Sequence, residues 1–321
     1  MSTPRKHHYL PQFYLENFRA PTQSGKKPQI FQISKEPSPS HHRAAIADTA
    51  CIRDYHTVEL VDGSEDHKRV ETALARIEAL NAKVLTETLH TKALDVSSLS
   101  DLRAFISLMR YRVPSFGKYI EASLRKVVLD GMQLMMASGK VPPPPPELQA
   151  LLDRDGVEKA VLVEIQNWKV LGQMFQLAFA PESLQALERY SYHLFSAPPT
   201  SEFITSDNPV SIFHPTYQKI APYGVGLATP DVELAMPLSS QVLLVAGVHI
   251  VPGSTEASDD QVREFNRRTI TMAEKYIFAP EAPISLIEQI ASLHSASAGF
   301  QFDSLLHGDG SVHISRFVPV Q

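Results

Sequence analysis

The stretch that decides how this chain folds is HHYLPQFYLENF, residues 7–18. The beginning of a chain is usually polar and frayed, whereas this segment is dominated by aromatic rings around one proline. It predicts that the N-terminal segment is buried and tied into the fold, with Pro11 at the first turn of a short helix that runs to about Phe18. The aromatic groups are His8, Tyr9, Phe13, Tyr14 and Phe18, and we expect the Tyr and Phe rings to be buried anchors.

Outside this block, the sequence pattern changes from helical to strand-like about half-way along the chain. Apolar residues recur at three- and four-residue spacing in a helical region of about 65–188, and short apolar strands fill about 190–321. This order predicts an α+β fold in which the helical first half packs against a mostly antiparallel sheet from the C-terminal half. Two early strands, at 30–33 and 55–60, could join that sheet, so we expect residues 1–321 to form a single interwoven domain.

Individual segments are predicted from periodicity and from Pro, Gly and Ser punctuation. Residues 34–48 have the composition of a loop. The five prolines Pro142–Pro146 predict a polyproline spacer in a loop at about 138–147, and they could also be a ligand for proline-reading modules. Helices are predicted at about 65–89, 98–113, 116–136, 147–178, 258–274 and 283–293, and later strands at about 191–195, 202–205, 233–236, 241–245 and 313–317.

Composition excludes several classes of protein. The 321 residues are 43% hydrophobic and 20% charged, as in soluble globular proteins, and the net charge of -5 gives no overall attraction to nucleic acid or membranes. A single cysteine, Cys51, excludes an internal disulfide and is interpreted as a buried structural thiol. No apolar run reaches the ~18 residues that span a bilayer and no secretory signal is present, so we expect a cytoplasmic protein of bacterial type without a membrane partner.

The first 42 residues are nevertheless basic. Such a stretch could bind the phosphates of a nucleic acid or a nucleotide, or it could be a solvated face. Two acids, Glu16 and Glu36, oppose the cations, which are Arg5, Lys6, Arg19, Lys26, Lys27 and Lys35.

A second distinctive block is FITSDNPV, residues 203–210, where a strand runs into a polar turn and stops at a proline. Asp and Asn bond their own backbone in turns, so one interpretation is a structural Asx-type turn. The other is that Asp207 projects from the end of a rigid strand, where a carboxylate is well held for metal binding or for base catalysis.

A third block is MRYRVP, residues 109–114, with two arginines at the end of a predicted helix. They could simply favour the helix dipole, or Arg112 could fork onto a carboxylate or phosphate. Glu71 and Glu78 are seven residues apart and share one helix face, which is solvated in most helices. If that face looks inward, the two glutamates could join Asp207 and a histidine around a cation.

A metal site made of His7 or His8, Asp207 and a glutamate is chemically reasonable for Mg, Mn or Zn, although no spacing demands it. The sequence has no H-E-x-x-H, paired C-x-x-C, EF-hand, P-loop, G-x-S-x-G or complete G-x-G-x-x-G motif. Kinase, Rossmann and α/β-hydrolase functions are therefore poor interpretations.

These blocks together resemble a bacterial family known as domain of unknown function 4238. Residues 8–18 resemble its H-Y-[VL]-P-Q-F-Y-L-x-x-F signature, and residues 203–210 its F-[IV]-T-S-D-x-P-V block. Shorter segments at 54–56, 112–114, 236–239 and 265–278 follow in the same order, so that the resemblance covers about residues 6–280. The family has no established activity, so the resemblance implies only residues to test, which are His8, Gln12, Arg112, Asp207, Asn208 and Asn266.

Three functions are compatible with the sequence, and whether the chain is an enzyme stays open. The first is a metal-dependent hydrolase of nucleic acid or nucleotides, in defence or toxicity, in which Asp207 holds Mg or Mn, His8 is ligand or general base and Arg112 stabilises phosphate charge. Gln12, Asn208 and Asn266 would then contact the bound cofactor. The second is a non-catalytic binding or regulatory module whose polar residues are structural, with His8 and Gln12 against the Asp207 turn. A third is a scaffold that recruits a partner through its proline run.

Overall fold

The computed structural model describes residues 5–21, 27–60, 62–139, 142–217, 224–307 and 310–321. Lys26 and part of the predicted loop at 138–147 lie outside these ranges. Helices and mostly antiparallel sheets together confirm the α+β fold class. Within the described ranges, no helix is both long and apolar enough to cross a membrane.

Two sheets organise the fold. The larger has the strand order β12-β7-β11-β10-β9, and all of its neighbours are antiparallel except β12 and β7. The smaller has the order β3-β2-β13-β8, so the N-terminal strands β2 and β3 share a sheet with strands of the C-terminal half. The strands of these two sheets are β2 (Gln29–Ser34), β3 (His41–Ala45), β7 (Ser191–Ser196), β8 (Thr205–Ser206), β9 (Ser211–Phe213), β10 (Glu233–Ser239), β11 (Val242–Gly247), β12 (Gly253–Glu256) and β13 (Tyr276–Ala279).

Three antiparallel pairs complete the strands. β1 pairs with β4 in a register that sets His7 opposite Ile52 and His8 opposite Cys51. Cys51 is half-buried rather than buried, and this burial raises the pKa of its thiol. The three pairs are β1 (Lys6–His8) with β4 (Cys51–Arg53), β5 (Val58–Glu59) with β6 (Glu65–Asp66), and β14 (Gly299–His307) with β15 (Gly310–Val318).

The helices of the first half follow the predicted apolar periods closely. Apolar side chains on one face of α3 are buried, as the spacing of Leu102, Phe105 and Met109 predicts. The helices are α1 (Gln12–Leu15), α2 (Arg69–Thr91), α3 (Leu99–Tyr111), α4 (Pro114–Ala137), α5 (Pro146–Asp155), α6 (Val157–Ala160), α7 (Asn167–Ala178), α8 (Pro181–Glu188), α9 (Asp259–Met272) and α10 (Ile284–Ser292).

The aromatic block at the N-terminus lies between α3 and the two sheets. Tyr9, Tyr14 and Phe18 are buried, which confirms them as anchors, and Phe13 is half-buried against Phe105. A buried side chain of this size contributes ~1.5–3 kcal/mol of transfer free energy. Burial of the block therefore explains how residues 9–18 are held in the fold.

Four predictions of secondary structure were wrong. The strand predicted at 55–60 is only Val58–Glu59, and it pairs with β6 rather than joining a sheet of the C-terminal half. Residues 34–48 are not a loop, because β3 pairs with β2 and places Arg43 over the Phe31 ring. The helix predicted over 147–178 is interrupted at Gly156, whose φ of +74° a helix does not allow. The strand predicted at 202–205 begins only at Thr205.

The proline run was predicted more accurately. Residues 142–145 have no regular secondary structure, and Pro145 has the polyproline dihedrals φ -54° and ψ 148°. Pro146 instead occupies the first helical position of α5, where a proline costs no hydrogen bond.

Candidate functional site

Asp207 follows β8 and uses its carboxylate to hold the beginning of β13. Oδ1 accepts the amide hydrogen of Glu274 at 2.8 Å, and Oδ2 accepts those of Lys275 at 2.7 Å and Tyr276 at 3.0 Å. The amide of Asp207 donates in turn to the Tyr276 carbonyl at 3.0 Å. A carboxylate has about four acceptor positions, and three are occupied here, so little capacity remains for a metal ion.

The protonation of Asp207 is set by two opposing effects. Burial raises its pKa to about 6, because the charged form is taken out of water, while the three amide hydrogen bonds lower it. Asp207 is thus a buried group whose hydrogen bonds are to backbone amides.

The two predicted asparagines also bond backbone groups. Asn208 Nδ2 donates to the Met272 carbonyl at 3.2 Å. The amide group of Asn266 accepts from the Ile204 amide at 3.1 Å and donates to the Glu202 carbonyl at 2.8 Å. Asn266 therefore takes the place of a neighbouring strand, which explains how residues 202–204 can be extended outside a sheet.

Arg112 is 2% exposed and forks between two different acceptors. Nη1 donates to Glu78 Oε1 and Nη2 donates to the His8 carbonyl, both at 2.8 Å. The face of α2 that carries Glu78 therefore faces the interior. Glu78 contacts Arg112 there, rather than a cation shared with Asp207. This fork fastens the C-terminus of α3 to β1 and α2.

His8 lies beside this fork, whereas Gln12 is exposed. Burial lowers the pKa of His8, and the charges that act on it come from Glu71, Glu78 and Arg112. A hydrogen bond to the Ala47 backbone opposes this lowering, while His8 Nε2 has no partner among the described residues. The structure thus brings His8 and Arg112 together, and it joins Asp207 to the amides that precede β13.

The model of a family described as "Protein of unknown function (DUF4238)" matches residues 6–282. The chain belongs to this family. No curated protein and no solved structure gives a match.

The opening block of this DUF4238 chain contains a histidine cluster that the sequence did not reveal in full. His7, His56 and Glu71 offer ligand atoms within 4.8 Å of one another. The two imidazoles stack with centroids 5.5 Å apart, and His56 Nδ1 bonds Glu71. His7 and Glu71 were considered for a cation site, whereas His56 was noticed only within the family's Asp54–His56 segment.

The ionisation of the cluster follows from burial and from the bond between His56 and Glu71. Burial lowers the pKa of His56, although the bond to Glu71 raises it. Burial raises the pKa of Glu71, but the bond to His56 and the nearby positive groups outweigh it, and the net shift is downward. A neutral imidazole and an ionised carboxylate result at neutral pH.

Two imidazoles and one carboxylate are a ligand set for Zn or Mn, but hydrogen bonds already occupy this set. His7 Nδ1 accepts the amide hydrogen of His56 at 2.7 Å. A neutral His7 ring then carries its proton on Nε2, which is buried and has no partner among the described residues. A metal ion bound to His7 would have to displace this proton or the amide bond, whereas His56 could bind through Nε2 and keep its bond to Glu71.

A cavity of about 210 Å³ adjoins the Asp207 turn of the DUF4238 chain. Asn208, Met272 and Glu274 form the wall that the turn holds in place. Arg110, which was not among the predicted site residues although Arg112 was, also lines the cavity. The hairpin of β14 and β15, which follows the matched residues, closes the cavity with Phe300 and Phe317.

Proposed function

We propose that this chain is a non-catalytic binding module in which the family's polar residues build the frame of a binding cavity. The observation that carries the proposal is the engagement of both Asp207 oxygens by three backbone amides. A carboxylate used in this way positions a cavity wall and has little capacity left for chemistry.

Two further motif residues support the same function. Arg112 uses Nη1 and Nη2 on Glu78 and the His8 carbonyl, although its Nε has no partner among the described residues, and Asn266 bonds the backbone at both ends of residues 202–204. Hydrogen bonds within buried networks help to make a fold rigid and to specify one arrangement. The frame links the opening block, α2, α3 and the two halves of the smaller sheet.

A metal-dependent hydrolase is the second candidate, and it is favoured by the His7, His56 and Glu71 cluster. The metal would sit on these residues, with the His8 and Arg112 pair beside them, rather than on Asp207. We rank it second because His7 would have to give up its hydrogen bond with the His56 amide, or lose its remaining ring proton, before it could bind a metal ion.

Binding of nucleic acid through the basic N-terminal stretch has less support than the sequence suggested. Arg5 pairs with Asp54 at 2.6 Å and Lys6 pairs with Asp48. Lys35 donates to three backbone carbonyls. These three cations are therefore used within the chain.

One set of proteins separates the two candidates. Thermal melting is compared between the wild type, Asp207→Ala and His56→Ala. The same proteins are assayed for turnover of RNA, DNA and nucleotides in the presence of Mg, Mn or Zn. The binding module predicts a strongly lowered Tm for Asp207→Ala and no turnover by any protein. Turnover by the wild type that His56→Ala abolishes would establish the hydrolase instead.

A further inference from the structure

We propose that the cavity between α3, α4 and the Asp207 turn binds a small anion, a phosphate or carboxylate group, through the guanidinium of Arg110. The inference rests on the proposed binding function and names its ligand class. Five features of the cavity carry it.

The first feature is an unpaired buried charge. Arg110 is 6% exposed, and Nη1 donates to the Tyr111 hydroxyl at 3.0 Å. Its Nε is buried without a hydrogen-bond partner, and no carboxylate of the described residues forms a salt bridge with it. Arg112, two residues away, has the partner Glu78 that Arg110 lacks. A buried charge without a counter-ion is unfavourable, so an anion in the cavity would be favoured.

The second feature is an aromatic cage that leaves only the edge of the guanidinium available. Arg110 Cζ lies 5.0 Å from the Tyr111 ring and 5.1 Å from the rings of Phe300 and Phe317. Such rings stabilise a cation through their faces but accept no in-plane hydrogen bond at Nε. The cage therefore holds the guanidinium in place, and Arg110 remains part of the cavity lining with one hydrogen bond, from Nη1 to the Tyr111 hydroxyl, so its other donors are left for an oxygen acid.

The third feature is the beginning of α4, a helix of 24 residues, at the same cavity. Val113, Ser115 and Phe116 are part of the lining. The N-terminus of a long helix carries a partial positive charge. Pro114 has no amide hydrogen and the Phe116 amide donates to the Val113 carbonyl at 3.1 Å, so the contribution of this helix is its field rather than a set of free amides. This field adds to the positive charge of Arg110.

The fourth feature is the balance of the remaining charges. Lys35 lines the cavity, and its Nζ donates to carbonyls of Thr271, Ala273 and Ala296 at 3.2, 2.7 and 2.7 Å. These bonds use its three protons but leave its charge in the lining. Glu274 is the acid on this wall, and its carboxylate pairs with Lys118. The lining is therefore positive overall.

The fifth feature is size. A volume of about 210 Å³ is below the roughly 300–1,000 Å³ of pockets that enclose drug-sized molecules. Inorganic phosphate or a short carboxylic acid fits this space. Because Phe300 and Phe317 come from the hairpin beyond residue 282, this chain's own C-terminal segment completes the site.

The test uses calorimetry and thermal melting of the full chain with inorganic phosphate or succinate as the probe, in chloride buffer. We expect saturable binding of at least one probe and a Tm that rises with its concentration. Arg110→Lys should weaken binding at least tenfold, because an ammonium lacks the planar donor edge. Arg110→Met should abolish binding and raise the Tm of the free protein, because it removes the unpaired charge.

Arg125→Met is the matched control, since Arg125 is an exposed arginine of α4 that pairs with Glu121. It should bind the probe as the wild type does. The inference is overturned if the wild type shows no saturable binding of either probe. It is also overturned if adding the probe raises the Tm of Arg110→Met as much as it raises the Tm of the wild type. Either result leaves the proposed function standing if Asp207→Ala still melts early and no protein shows turnover.

Discussion

Asp207 Oδ1 accepts the amide hydrogen of Glu274 at 2.8 Å, although 67 residues separate the two in the chain. The bond fastens the end of β8 to the segment that leads from α9 into β13. Asn208 and Glu274 then stand together in the cavity wall. A change at Asp207 is therefore expected to alter both the stability of the fold and the shape of the cavity.

Replacing Asp207 by alanine should lower the free energy of unfolding by about 3–5 kcal/mol. The substitution leaves three amide hydrogens without an acceptor in the interior, and each unsatisfied buried group costs ~1–3 kcal/mol. Urea denaturation of the variant and the wild type measures the difference. Asp153→Ala, at an exposed position of α5, is the control and should stay within ~0.5 kcal/mol. A similar small effect at Asp207 would show that its bonds are not structural.

Protonation of Asp207 should make stability depend on pH in a defined direction. Burial raises its pKa from the ordinary 3.8 to about 6, so the folded state holds this proton more tightly than the unfolded state. The resulting stabilisation is fully present below pH 4 and is lost as the pH rises through 6. A shift of about 2 units corresponds to about 3 kcal/mol.

Comparison with Asp207→Asn isolates this titration from those of other groups. Between pH 4 and 7, the wild type should lose about 2 kcal/mol of unfolding free energy relative to the variant. A relative gain over that range would contradict the prediction, and would mean that the three amide bonds outweigh burial in setting the pKa.

Much of the fold could be predicted because periodicity reports burial directly. The stripe of α3 and the aromatic block needed no knowledge of distant partners. β3 was missed because its sequence, HHRAA, has no apolar alternation, and its identity as a strand depends on pairing with β2. The region 147–178 shows the opposite limit, since Gly156 with its positive φ and the non-helical residues 161–166 divide a helical pattern into three helices.

The candidate site was less predictable because its chemistry depends on long-range pairing. Arg110 and Arg112 differ by two positions, or about 200° around a helix, and their local sequence is equivalent. Arg112 meets Glu78, whereas Arg110 meets Phe300 and Phe317, which lie about 200 residues further on. Nothing in the block at 109–114 indicates which arginine lacks a partner.

Removing the Arg112 side chain should be costly, in contrast to Arg110. Arg112→Met leaves Glu78 and the His8 carbonyl without their donors, and breaking a buried pair by removing one partner costs ~3–5 kcal/mol. Glu78 is partly exposed, so the lower end of this range is expected. Denaturation of Arg112→Met, Glu78→Gln and the double variant gives the coupling between the two side chains. Additive effects would show that the ion pair contributes nothing.

The hydroxyl group of Tyr14 should link the opening block to both sheets. It donates to the Pro237 carbonyl at 2.8 Å and bonds the Thr205 hydroxyl at 2.7 Å, all in the buried core. Tyr14→Phe keeps the ring but leaves two buried polar groups unpaired, so the free energy of unfolding should fall by about 1–3 kcal/mol.

Tyr119→Phe is the matched control for Tyr14→Phe, because the Tyr119 hydroxyl bonds Ser315 at an exposed position. Its effect should stay within ~0.5 kcal/mol, since water can replace the lost partner. The double variant Tyr14→Phe with Thr205→Val should lose less unfolding free energy than the two single variants lose together, because each substitution removes the same hydrogen bond. Full additivity at these two positions would mean that the opening block is held by the burial of its rings alone.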